Sequence, residues 1–111
     1  MWTYILYFWK QNTGVIFIFD NKRYITCGID NEVPQTLQMV IWDLIETMPA
    51  DKDYLQVFNL SVDNGLQKIV HSQEEPEYNE EHCYVADSPI TAKIYVIDDE
   101  THSTMLLAEE Y

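Results

Sequence analysis

Basic residues are what this chain lacks most: six Lys and Arg stand against nineteen Asp and Glu, a formal net charge of −13 over 111 residues. A field of that sign repels nucleic acid and anionic membranes and attracts basic protein surfaces or cations, so direct DNA or RNA binding is not expected. Glycine is scarcer still. With only Gly14, Gly28 and Gly65 there is no glycine-rich loop to cradle a phosphate and no dinucleotide fingerprint. Two cysteines, Cys27 and Cys83, are too few for a disulfide framework and form no Cys-x-x-Cys pair, which reads as reduced thiols on strands. Long hydrophobic runs are missing too. The apolar stretch from Met1 to Trp9 is interrupted by Lys10-Gln11-Asn12 before Val15-Ile16-Phe17-Ile18-Phe19, and neither piece approaches the roughly 20 residues that span a bilayer. Positive charge ahead of the apolar stretch and small residues after it, the marks of a secretory signal, are lacking as well. The expected location is the cytoplasm, with no membrane association.

What is present is core-forming material. A hydrophobic content of 47% and an aromatic content of 14% support a packed domain. A single domain of this length buries about two thirds of its unfolded surface, enough to fold without disulfides or metal. Residues 19–111 read as one α+β domain. Residues 1–18 read as an apolar N-terminal extension, either an edge strand or the product of an upstream start codon. Asn21 to Gly28 reads as a short strand. Pro34 suits a first helical turn, and Leu37, Val40, Ile41, Leu44 and Met48 recur at helical spacing until Pro49 stops the helix. Gln35, Gln38, Met39, Trp42 and Glu46 fall opposite that stripe. Trp42 there is either covered by another part of the chain or part of a partner contact, since Trp and Met are enriched in interface cores.

Asp53 to Val62 and Leu66 to Ser72 read as strands joined by Asn64-Gly65, the dipeptide best suited to a two-residue hairpin turn. Such a turn sets Leu60 opposite Ile69 and Phe58 opposite His71. Phe58, Leu60, Val62 and Ile69 then share the face that beds the helix, and Leu55, Val57 and Val70 share the other. His82 to Ala86, Thr91 to Ile97 and Ser103 to Ala108 supply further strands. The economical architecture is a mostly antiparallel sheet of five to six strands with one amphipathic helix packed on one face.

Several of these segments carry a resemblance: Asp53-Tyr54-Leu55-Gln56-Val57-Phe58; Gln67-Lys68-Ile69 through His71-Ser72-Gln73-Glu74-Glu75-Pro76; Pro89-Ile90-Thr91-Ala92-Lys93-Ile94; and Asp98-Asp99 through the close His102-Ser103-Thr104-Met105-Leu106-Leu107-Ala108-Glu109-Glu110-Tyr111. With Arg23-Tyr24-Ile25-Thr26 they resemble the family catalogued as domain of unknown function 960, over roughly residues 19–111. The resemblance implies a small protein of Gram-positive bacteria, with relatives on phages and mobile elements. It brings no activity and no catalytic residue, and the first eighteen residues depart from its pattern.

Charge is uneven along the chain. Eleven of the nineteen acids fall in residues 71–111, where Lys93 is the only base. Glu74, Glu75, Glu77, Glu80 and Glu81 crowd one short segment, and Asp98, Asp99 and Glu100 another. Charge runs of this kind are ordinarily solvated loops; gathered on one face they would engage a basic protein, a nucleic-acid-binding protein among them. An inhibitor that imitates DNA is the special case that the mobile-element relatives bring to mind. Asp98-Asp99-Glu100 lacks the alternation and distal Glu of a calcium loop. His71-Ser72, His82-Cys83 and His102-Ser103 are adjacent pairs in or beside strands, so their side chains diverge. The expectation is a non-enzymatic interaction module with no catalytic, cofactor or metal set. The alternative is a small enzyme or metal-binding domain using His71, His82, Cys83 and nearby carboxylates.

Overall fold

The computed structural model describes the backbone of Ile5–Phe8 and the whole of residues 19–111. Nothing else in the N-terminal extension falls within the described residues. The chain runs β1 (Ile5–Phe8), β2 (Lys22–Ile25), α1 (Cys27–Glu32), α2 (Gln35–Thr47), β3 (Leu55–Asp63), β4 (Leu66–Gln73), β5 (Tyr78–Tyr84), β6 (Ala92–Asp98), β7 (His102–Leu107) and a 3₁₀ turn, Ala108–Glu110. The strands form one sheet in the order β1-β2-β7-β6-β3-β4-β5, and six of the seven come from residues 19–111. Only β2 and β7 run parallel, Lys22 beside His102 and Ile25 beside Met105. The fold is therefore α+β with a mixed sheet. No helix among the described residues is long and apolar enough to cross a membrane.

The β3–β4 hairpin follows its turn chemistry. Asn64 and Gly65 both take positive φ, 51° and 77°, as a two-residue hairpin turn demands. Leu60 pairs with Ile69 and Phe58 with His71. Phe58, Leu60 and Ile69 are buried with Ile94, Val96 and Met105 of the neighbouring strands beneath Leu37, Ile41, Leu44 and Ile45 of α2. Val62 departs from the expected bed: near the hairpin tip it is 50% exposed, because cover of that face ends before the turn.

The segment read as one strand from Asn21 to Gly28 is split. β2 ends at Ile25, and Thr26 caps α1 by accepting from the Ile29 N–H at 3.3 Å. Cys27 thus lies on a helix, not on a strand, while Cys83 lies on β5; both are free and exposed. The reason is tertiary. From the 3₁₀ turn, the Glu110 carboxylate reaches the start of α1, accepting from Thr26 Oγ1 at 2.6 Å and from the Gly28 N–H at 3.2 Å. It also accepts from the Leu107 N–H at 2.9 Å. An anion at a helix start satisfies otherwise unpaired N–H groups. Gly28 leaves room for it, since a Cβ there would stand 2.6 Å from the carboxylate.

Glu110→Ala should lower stability by about 2 kcal/mol, the usual scale for hydrogen bonds to a charged group. Gly28→Ala should act by displacing the same carboxylate. Urea unfolding of both single variants and the double variant checks this. A double variant no worse than the poorer single one is expected, whereas full additivity would detach Gly28 from the clasp.

Candidate interaction surface at the acidic end of the sheet

Strand pairing decides where the acids meet. Gln73 pairs with Tyr78, Leu55 with Ile97, and Asp98 with Ser103. The β4–β5 turn (74–77), the segment leading into β3 (51–54) and the β6–β7 turn (99–101) therefore lie at the same end of the sheet. The two acidic turns are separated by the strand spacings between β6, β3, β4 and β5, about 14 Å in all. Asp51 and Asp53 come up between them. Their place in the sequence gives no sign of this, because only the β3–β6 and β3–β4 pairings bring residues 51–54 to that end.

Glu74, Glu75, Glu77 and Glu100 are exposed, and their carboxylates make no hydrogen bond or ion pair among the described residues. The other candidate acids are placed differently. Glu80 and Glu81 lie within β5, opposite His71 and Val70, so they project to opposite faces. Glu81 is paired with Lys68 Nζ at 3.2 Å. Asp98 is only 9% exposed, and its carboxylate works inward, accepting from the Phe19 N–H at 2.8 Å, Asn21 Nδ2 at 2.9 Å and the Glu100 N–H at 2.9 Å. It fastens the start of β2 to the β6–β7 turn and is not a surface acid.

Asp99 accepts from the Thr101 and His102 N–H groups at 3.1 and 3.0 Å and lies 3.2 Å from His102 Nε2. Partial burial pushes its carboxyl up, but the His102 N–H, the Thr101 hydroxyl and the His102 charge outweigh that and hold it below the ordinary value. Trp42 also leaves the surface. It is 2% exposed, with the Arg23 guanidinium 4.7 Å above its ring. Gln38, read with it on the polar side of α2, is buried and donates to the Val33 carbonyl at 2.9 Å.

A buried polar network holds this end in shape. The Gln73 amide donates to the Asp51 carbonyl at 2.8 Å and the Pro76 carbonyl at 2.7 Å, and its oxygen accepts from the Asp53 N–H at 2.9 Å. Gln56 donates to that same oxygen at 2.6 Å, and its own oxygen faces His71 Nε2 at 2.6 Å. His71 is fully buried, stacked 4.3 Å from Phe58, with the Tyr78 edge 5.2 Å away. On the opposite face a pocket of about 270 Å³ is lined by Asp53, Tyr54, Leu55, Val57, Glu74 and Tyr95. Lys93 Nζ stands 5.7 Å from the Tyr95 ring on one side of it.

The histidine–cysteine constellation is not assembled. Cys83 pairs with Lys68 and lies on the face opposite His71. His82 does share the face of His71, one diagonal step away, and His71 Nδ1 and His82 Nε2 are buried without hydrogen-bond partners. No group of three or more His, Cys, Asp or Glu among the described residues converges to hold a metal ion.

Burial, with the nearby His82 charge, pushes the His71 pKa down from 6.5 to about 4. The unfolded imidazole binds a proton below about 6.5 while the folded one does so only below about 4, so stability falls as pH drops through that window and levels off beneath it. Replacing His71 with Gln removes this dependence. Urea unfolding between pH 7 and pH 4 should show the native chain losing about 3 kcal/mol more than His71→Gln. Parallel curves would show that His71 does not couple folding to pH.

The family model described as a Staphylococcal protein of unknown function, domain of unknown function 960, matches residues 22–110. No curated protein matches the chain. A crystal structure of a protein of unknown function from Enterococcus faecalis shares the fold with a TM-score of 0.68 at 24% identity, over 80% of this chain and 89% of that one. With the family model spanning β2 to the final turn, the chain belongs to the domain of unknown function 960 family.

Proposed function

We propose that the protein is a non-enzymatic interaction module of the cytoplasm whose acidic end binds a basic segment of a partner protein. What supports the reading is one arrangement: Glu74, Glu75, Glu77 and Glu100 stand exposed and unneutralised at one end of the sheet, on either side of Asp51 and Asp53. Beside them, Tyr54, Tyr95 and Glu74 line a pocket together with Lys93, whose own ammonium lies 5.7 Å from the Tyr95 ring, so the exposed carboxylates and not this pocket carry the reading. Carboxylates gathered this way raise the rate of encounter with a basic surface, and the effect fades with salt over a Debye length of about 8 Å. Nucleic-acid-binding proteins own surfaces of that sign, and inhibition by imitating DNA is the special case of this reading.

The test is affinity capture with the purified chain at low and high salt. Glu74→Lys, Glu75→Lys, Glu77→Lys and Glu100→Lys combined should reduce capture of basic proteins at least about tenfold. Asp63→Lys with Asp87→Lys, at the opposite end of the sheet, should leave it intact. Equal losses in both variants would mean that net charge alone attracts the captured proteins.

A second reading, a metal or acid–base site, draws on the paired unpartnered nitrogens His71 Nδ1 and His82 Nε2, with Glu80 opposite His71. Metal analysis and melting curves with and without chelator separate the two. Bound metal and a chelator-sensitive Tm would favour the second; neither is expected.

A further inference from the structure

β5 is the outermost strand at one side of the sheet and pairs with β4 alone. Its register runs unbroken from Gln73 beside Tyr78 to Gln67 beside Tyr84, and its seven residues include neither proline nor glycine. A bulge, a proline or a very short strand, the devices that blunt an edge, are therefore missing from it. In an antiparallel ladder, alternate residues turn their N–H and C=O groups to opposite sides of the strand. Among the described residues, the outward set on β5 meets no hydrogen-bond partner.

What guards this edge is charge. Glu80 and Glu81 sit at the middle of β5, which rises directly out of the turn carrying Glu74, Glu75 and Glu77. Glu81 is answered by Lys68, whereas the exposed Glu80 makes no hydrogen bond or ion pair among the described residues. An antiparallel pair with a second copy would set the middle of β5 against itself, like charge facing like charge, which is destabilising. A strand carrying lysine or arginine reverses the sign of that interaction. At the far end of β5 the chemistry changes. Tyr84 and the exposed Val85 wall a groove of about 460 Å³ together with Leu37 and Val40 of α2. Glu80, His82 and Tyr84 project to one face of the sheet. Glu80 and Tyr84 thus stand four residues apart on that face, about 13 Å along the strand.

We infer that the edge of β5 accepts an extended segment of a partner protein as an eighth strand, with a lysine or arginine beside Glu80 and a large apolar residue four positions away beside Tyr84. The inference rests on the proposed reading of the acidic end and adds how the basic segment is held. Main-chain hydrogen bonds along the edge supply the grip, and the two side chains supply the selectivity.

The experiment titrates the full chain with two peptides of opposite order, acetyl-Thr-Lys-Thr-Val-Thr-Leu-Thr-amide and acetyl-Thr-Leu-Thr-Val-Thr-Lys-Thr-amide, and follows the exchange of backbone amide hydrogens. One order is expected to bind saturably and to slow exchange at alternate residues of β5. N-methylation of one alternate set of peptide amides should weaken that binding at least about tenfold, and methylation of the other set should not. Glu80→Gln, and serine in place of the peptide leucine, should each weaken it about threefold. Binding that leaves β5 exchange unchanged, or that survives both methylated versions, would overturn the inference; loss of such binding in the variant with lysine at 74, 75, 77 and 100 would still keep the acidic end as the site. Binding of neither peptide would overturn the inference too, and the capture experiment then judges the acidic end by itself.

Discussion

One buried amide, that of Gln73, joins the β4–β5 turn to β3 and the segment leading into it, whose bonded groups lie 17 to 22 residues away in sequence. Its nitrogen serves the carbonyls of Asp51 and Pro76, and its oxygen serves the Asp53 N–H and the Gln56 amide. The Gln56–Gln73 contact is buried, and leaving the Gln73 oxygen there without a partner would be costly. The acidic turn therefore cannot drift away from the segment leading into β3 without breaking several bonds together. Gln56 extends the constraint to His71, and Phe58 and Tyr78 enclose the imidazole. That enclosure keeps the ring neutral and ties the order of this end to pH.

A chain this acidic must place like charges near one another, and the structure separates them by use. Asp98 and Glu110 are turned inward as hydrogen-bond acceptors, one fastening the start of β2 and the other the start of α1. Asp99 closes its own turn, and Glu81 is matched by Lys68. Those on residues 74–77 and at Glu100 stay in water, where repulsion is weak because the dielectric is high. β5 is also an edge strand of the sheet, and exposed carboxylates along an edge discourage pairing with another chain.

The hairpins illustrate what was legible early. Asn64-Gly65 demands positive φ at two successive residues, and that local demand alone set Leu60 against Ile69 and Phe58 against His71. The spacing of Leu37, Ile41 and Leu44 marked α2 for the same kind of reason, a periodicity matched to one buried face. α1 was illegible. Thr26 to Glu32 has no long apolar stripe, and its start is completed by Glu110, more than eighty residues away. The helix wheel put Trp42 and Gln38 opposite the apolar stripe and left open whether another part of the chain covers Trp42; Arg23 stacks on that ring, and both side chains are buried.

By itself the sequence determined the α+β class, the long helix, the hairpin register and the uneven charge, because these follow from local backbone preferences, side-chain periodicity and composition. Only the tertiary structure decided that β7 lies between β2 and β6, and that the acids of residues 74–77 and 98–100 share one end of the sheet with Asp51 and Asp53. It alone divided those acids into inward acceptors and free charges. The reason is that pairing between distant strands, and the burial of one side chain by another, depend on contacts that no local stretch of sequence contains.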